Sequence, residues 1–186
     1  MVEKKVWLSM RHFVTNEYLN DIYMGQKPYE ICNTNLITNG LIESINHCTI
    51  FASNLIRSKQ TVEYLCSIFP SIEFDVIYSN LLIERGLGDF EGQSKSVIKK
   101  NKEFFENDKF KVKLTPPNGE SFESFKVRVE NALRQIYQIN TFSNILVVSH
   151  LQVLRMIRCL VLGKFNYNFW YDINYNHGEI VQELLR

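Results

Sequence analysis

Alanine is nearly missing from this chain: among 186 residues only Ala52 and Ala132 are present, against an excess of Asn, Ile and Lys that carries no functional information. Charge of one sign is missing as well. Lys+Arg number 21 and Asp+Glu 20, a net charge of +1, so no global field recruits nucleic acid or an anionic membrane surface. Four cysteines, Cys32, Cys48, Cys66 and Cys159, stand far apart with no CxxC pair. That spacing suits neither a structural metal site nor a disulfide framework, and the expectation is four buried or partly buried thiols in a reducing compartment. No segment approaches the ~18 consecutive apolar residues of a membrane span, and the apolar run in MVEKKVWLSMRH is too short for a signal-peptide core. A cytoplasmic location is expected. A charge this close to neutral does not oppose a homodimer.

What remains is an ordinary globular composition, 45% hydrophobic and 22% charged, long enough for one domain over 1–186 with a sizeable core. Repeats and low-complexity linkers are lacking. Strand and helix patterns alternate, which predicts an α/β fold: a three-layer sandwich with a mostly parallel central sheet and helices on both faces. Strands are expected at Lys5–Ser9, Thr49–Ala52, Glu73–Tyr78 and Ile145–Val148, the last a continuous apolar run of the kind found in central parallel strands. Weaker strand patterns lie at Tyr171–Asn174 and Glu179–Leu184. Helices are expected over Leu36–Asn46, from Asn54, across Ser94–Asn107, and along the stripe Phe122, Phe125, Val129, Leu133, Ile136, with Ser121 as its N-cap. Another helix carries Val153, Leu154, Ile157 and Leu160. Pro116-Pro117-Asn118-Gly119 is the strongest turn signal.

Two histidines share one setting. His12 follows the first strand, and His150 follows the ILVV strand immediately before a helix. Ligands of open α/β sheets bind at the carboxyl ends of strands, so both face one crevice. Arg11 adjoins His12, and Arg57 begins the helix after the second strand. Two arginines and two histidines at strand ends form a site for an anion, and guanidinium forks suit phosphate oxygens.

These residues sit in a recognisable set of blocks. Arg11-His12-Phe13-Val14-Thr15, a degraded segment Asn33–Gly40, Ser53–Thr61, Glu84 with Gly88, Phe90, Glu91 and Gly92, Pro117–Ser121 with Arg128, and Val148-Ser149-His150 occur in this order within residues 6 to 155. The set resembles the histidine phosphatase superfamily, also called phosphoglycerate-mutase-like. The resemblance implies that His12 is a nucleophile forming a phosphohistidine. It implies that Arg11, Arg57 and His150 surround the transferring phosphoryl group, and that Glu84 serves as general acid and then base. Thr15 supports the substrate site, with Phe13 and Leu151 beside it. No metal and no cofactor is implied, and the partner is a small phosphorylated substrate. An insertion at about 85–117 corresponds to a small helical lid, in which Lys99, Lys100 or Lys102 could meet the substrate.

Three positions depart from the family pattern. Phe13 replaces a glycine, Tyr18 replaces a phosphate-touching asparagine, and Leu151-Gln152 replaces a glycine pair; all three are expected to crowd the pocket. His47 and His177 match no block and read as structural. Arg128 with Glu120 reads as a structural pair, and Phe104-Phe105 as packing within the insertion. Only 35 residues lie between Glu84 and Glu120, a short insertion that leaves a phosphohistidine open to water. The expectation is therefore a metal-independent phosphomonoesterase rather than a phosphoglycerate-type mutase. A catalytically silent binder of phosphorylated ligands is the alternative outside enzymes.

Overall fold

A computed structural model describes residues 6–107, 109–139 and 144–183. In chain order the elements are β1 (Trp7–Arg11), β2 (Val14–Thr15), α1 (Asn16–Leu19), β3 (Ile31–Asn33), β4 (His47–Ser53), α2 (Ile56–Ile68) and β5 (Glu73–Ser79). They continue with α3 (Lys95–Ile98), β6 (Phe105–Glu106), β7 (Lys109–Phe110), α4 (Phe122–Ile139), β8 (Asn144–Ser149), α5 (Leu151–Val161), α6 (Tyr167–Asp172) and β9 (Ile180–Gln182).

The central sheet has the order β5-β4-β8-β1-β9; the first four strands are parallel, and β9 pairs antiparallel with β1. The expected mixed α/β architecture with a mostly parallel sheet is present. Its central strands read as unbroken apolar runs because both faces are covered. In β8, Ile145 and Val147 join Trp7, Phe51 and the buried faces of α4 and α5, whereas Leu146 and Val148 join Leu8, Met10, Ile50 and the Val62–Leu65 face of α2. Each such fully buried aliphatic side chain contributes about 1.5–3 kcal/mol. The stripe along α4 buries Phe122, Phe125, Val129, Ala132, Leu133 and Ile136, and the Ser121 hydroxyl accepts the Ser124 N–H at 3.0 Å, as an N-cap does.

Several expected elements differ. The first strand runs Trp7–Arg11, beyond the expected Lys5–Ser9, and Lys5 lies outside the described residues. Residues 36–46 are not helical: Asn39 and Gly40 adopt φ of 52° and 72°, a left-handed turn that stops a helix from propagating. Ile42 and Ile45 are buried nonetheless. Between Ser94 and Asn107 helix is confined to Lys95–Ile98, and the chain then enters the β6–β7 hairpin. The apolar residues there pack as a small aromatic cluster, Phe90, Phe104 and Phe105 with Leu87 and Ile98, rather than as a helical stripe. Tyr171 and Asp172 end α6 instead of starting a strand. All four cysteines are free, but Cys32 is exposed, contrary to expectation. No helix among the described residues is long and apolar enough to cross a membrane.

Candidate active site

Sheet register builds the crevice. Arg11 of β1 pairs with Ser149 of β8, so the residues that follow, His12 and His150, emerge level with one another. Their ring centroids lie 5.0 Å apart. Both are buried, as is Arg57 in the first turn of α2. The structure thus brings together Arg11, His12, Arg57 and His150.

Hydrogen bonds assign the tautomer of His12. Its Nδ1 is 2.6 Å from the carbonyl oxygen of Phe13, which can only accept, so Nδ1 carries the proton. The Nε2 lone pair is left to the crevice, where Arg57 Nε–H approaches it at 3.2 Å. Burial, reinforced by the cation of Arg57, holds the imidazole pKa well below its ordinary value and keeps the ring neutral. Arg57 is itself anchored through Nη1 to the Lys27 carbonyl at 2.9 Å and Nη2 to the Gly25 carbonyl at 2.7 Å. Burial pulls its pKa down to about 10, so it stays charged.

His150 Nε2 lies 2.7 Å from the Ser53 hydroxyl at the end of β4. Ser53 Oγ also accepts the Leu55 N–H, and the Ser58 hydroxyl stands 3.5 Å from the same Nε2; when either hydroxyl donates to Nε2, His150 carries its proton on Nδ1. That Nδ1 is buried and without a partner, as are Arg11 Nε and His177 Nε2. Glu84 is partly buried. Burial pushes its carboxyl pKa up, opposed by the Arg85 N–H and by Arg57 and Arg11. Its oxygens accept the main-chain N–H groups of Arg85 at 2.9 Å and Gln152 at 3.5 Å.

The loop bearing Glu84 is braced from outside the crevice. The Arg85 guanidinium turns away from Glu84 to the carbonyls of Val112, Leu114 and Glu120 at 2.6–3.1 Å, so the two side chains are not an ion pair. Arg128 and Glu120 form a two-bond pair at 2.8 and 2.7 Å, and Arg128 also reaches the Leu81 and Ile83 carbonyls. Gly88, at φ +54°, lets the chain run against Pro117: a Cβ there would stand 2.1 Å from the Pro117 carbonyl oxygen.

The other expected site residues fare differently. Thr15 is buried, and its hydroxyl caps α1 through the Tyr18 N–H and contacts the Met24 sulfur. Phe13 does not crowd the crevice: its ring packs edge-on against Tyr64 of α2 within the core below the sheet. Tyr18 does cover it, with its ring 4.3 Å from the His177 ring and 5.2 Å beneath the Arg11 guanidinium carbon. Leu151 and Gln152 line a cavity of about 310 Å³ beside Glu84, together with Tyr23, Phe105, Arg155 and Tyr171. Lysine enters that cavity from Lys109, not from Lys99, Lys100 or Lys102.

Two contributions to the site carry no motif in the sequence. The 20–30 segment supplies the carbonyls that hold Arg57. His177, expected to be structural, stands with its ring 5.0 Å from that of His12. His47, by contrast, pairs with Asp75 on the surface as a structural residue does. Among the described residues no group of three or more His, Cys, Asp or Glu side chains is arranged to hold a metal ion.

The chain belongs to the histidine phosphatase superfamily (branch 1), whose sequence profile matches residues 39–182. That span includes Arg57, Glu84 and His150 and begins after His12. The chain is 27% identical over 169 residues to the adenosylcobalamin/alpha-ribazole phosphatase of Escherichia coli K12, covering 86% of this chain and 79% of the relative. The fold is shared with the alpha-ribazole phosphatase of Shigella flexneri (TM-score 0.69, 20% identity, 94% and 87% of the two chains). It is also shared with a mycobacterial glucosyl-3-phosphoglycerate phosphatase (TM-score 0.75, 16% identity, 96% and 89%).

Proposed function

We propose that the protein hydrolyses a phosphate monoester through a phosphohistidine at His12, without a metal. The observation that carries this reading is the neutral His12 ring, with Nδ1–H tied to the Phe13 carbonyl and its Nε2 lone pair facing the crevice, where it accepts the Arg57 Nε–H. In the first step the Arg57 Nε–H transfers its hydrogen bond from Nε2 to a phosphoryl oxygen, the freed Nε2 lone pair attacks phosphorus as the ester P–O bond breaks, and the leaving oxygen takes a proton from Glu84. In the second, Glu84 takes a proton from water, the water oxygen attacks phosphorus, and the N–P bond breaks to release inorganic phosphate. A carboxyl whose pKa is raised by burial suits the first role. Arg57 and Arg11 supply donors for the phosphoryl oxygens, with His150 beside them, as charge redistributes in the transition state.

The aromatic-lined cavity beside Glu84 is where the leaving group sits, and residues 85–117 form its cover. Tyr23, Phe105 and Tyr171 offer ring faces, and Lys109 and Arg155 offer cations, a lining suited to a flat, polar alcohol such as a nucleoside. The similarity to an alpha-ribazole phosphatase supports the same class. The short segment between Glu84 and Glu120 favours water over return transfer, hence hydrolysis over mutase chemistry.

The test is hydrolysis of an aryl phosphate in EDTA by the wild type and His12→Ala, with alpha-ribazole 5′-phosphate and glycerol phosphate as comparison substrates. The reading expects metal-free turnover that is lost in the variant, and preference for the ribazole ester. Turnover that survives His12→Ala contradicts it.

A further inference from the structure

His177 belongs to none of the motifs that define the crevice, yet it forms one of its walls. The turn that carries it is fixed on both sides. Gly178 N–H donates to the Arg11 carbonyl at 3.0 Å. Gly178 itself adopts φ +76°, where a Cβ would meet the Asn35 carbonyl oxygen at 2.1 Å, so only glycine fits. Within that turn His177 Nδ1 lies 2.8 Å from the His12 carbonyl oxygen. A carbonyl accepts only, so Nδ1 bears the proton and the neutral ring turns a lone pair outward at Nε2. That atom is buried and has no partner.

Three buried polar atoms of the crevice are therefore unpaired: Arg11 Nε, His150 Nδ1 and His177 Nε2. Leaving such groups unmade is costly, and a tetrahedral anion would engage all three. Arg11 Nε is a donor, and His150 Nδ1 is one when the Ser53 hydroxyl donates to Nε2. His177 Nε2 is an acceptor, and phosphoryl oxygens are acceptors too, so a hydrogen must come between them.

We infer that His177 is a phosphoryl-binding residue, and that the phosphoryl group binds together with one proton shared between its oxygen and His177 Nε2. This rests on the hydrolase reading above and adds a residue and a protonation state to it. Binding a dianion with uptake of a proton and binding a monoanion to the neutral ring are the same equilibrium. In the free protein burial and the Arg11 cation bring the His177 pKa down to about 3, so the proton arrives with the ligand. The groups that face His177 are Arg11 and His12 at the end of β1, Tyr18 on α1, Arg57 on α2 and His150 at the start of α5.

The test is competitive inhibition of aryl phosphate hydrolysis by inorganic phosphate between pH 5.5 and pH 8.5, in the wild type, His177→Asn and His177→Ala, these pH limits being roughly those that bracket the monoanion-to-dianion ionisation of phosphate. Asparagine can keep a donor on the His12 carbonyl but has nothing at the Nε2 position. Because the other five groups are retained, the difference between wild type and variant isolates His177. The expected result is inhibition by phosphate that is on the order of tenfold weaker in His177→Asn at the acid end, with the gap closing as pH rises. Thermal stability of His177→Asn should match the wild type. A His177→Asn enzyme with wild-type inhibition at every pH, alongside a defective His177→Ala, assigns His177 a purely structural role and overturns the inference while leaving the hydrolase reading intact. A wild type that neither turns over an aryl phosphate nor is thermally protected by phosphate overturns both.

Discussion

One wall of the crevice, at the ends of β1, β4 and β8, holds Arg11, His12, Ser53 and His150 in place by sheet register. The facing wall, residues 84–120, holds Glu84 by hydrogen bonds from Arg85 and Arg128 to main-chain carbonyls and by a small aromatic cluster. The first wall is the edge of a core sealed on both faces. The second has little regular structure, and its shape depends on a few buried guanidinium groups. The nucleophile's wall should therefore tolerate changes outside the reacting groups, whereas the acid's wall should lose its geometry when a single brace is removed.

The largest effect is expected on the first wall itself. His12→Ala removes the attacking atom and should lower hydrolysis by about a thousandfold or more with the melting temperature little changed. Steady-state kinetics with a matched thermal melt checks both halves. On the facing wall, Glu84→Gln should cost about 10²- to 10⁴-fold in kcat. It should also abolish the alkaline limb of the pH profile, because the wild-type acid must be protonated and works up to its raised pKa. A surviving alkaline limb in Glu84→Gln would assign the proton to another group.

Phe13→Gly restores the residue type the family motif carries, and here the two walls are contrasted by stability. Its ring is core, so the change should destabilise by about 3–5 kcal/mol and bring no gain in kcat. Denaturant melts measure the first and a substrate titration the second. Arg85→Met should destabilise less, by about 3 kcal/mol for carbonyls left without donors, yet reduce kcat by displacing Glu84. A variant with normal kcat would show that Glu84 is positioned without that brace.

A last effect is spread over pH rather than confined to one residue. His12, His150 and His177 all have folded pKa values below the ordinary 6.5. Below about pH 6.5 the unfolded chain therefore binds more protons than the folded one. Stability is complete above that pH and declines as pH falls, by at most about 4 kcal/mol per unit for three groups. Glu84 acts in the opposite sense, since its raised folded pKa favours the folded state at low pH. Thermal melts from about pH 7.5 to about pH 5, a window that spans the imidazole range, should show a falling midpoint, and a flat profile would contradict the neutral-imidazole description.

The first wall was largely legible in the sequence. Apolar runs mark strands covered on both faces, and polar residues that end such runs fall at one edge of the sheet, which is how His12, His150 and Arg57 were found. Glu84 depended on its block of neighbours, since its loop has no periodicity to read. Phe13 differs from its expected place because adjacency to His12 along the chain says nothing about direction, and the turn after β1 sends its ring against Tyr64 of α2. His177 was missed because it reaches the site from the turn before β9, an antiparallel strand laid beside β1 late in the chain. The His177-Gly178 pair ahead of β9 is a weak signal for it. The helix expected over Leu36–Asn46 failed for a local reason: leucines and isoleucines at helical spacing straddle Asn39-Gly40, whose left-handed turn breaks the period while the side chains stay buried.

The central claim is covalent: the phosphoryl group passes through His12 Nε2. Rapid acid-free quenching of the enzyme during turnover of an aryl phosphate, followed by intact mass and peptide mapping, tests it directly. The account predicts one phosphoryl adduct on the peptide containing His12, raised in Glu84→Gln where water is poorly activated and missing in His12→Ala. Turnover with no adduct on His12 in the wild type or in Glu84→Gln, or an adduct that persists in His12→Ala, would contradict it.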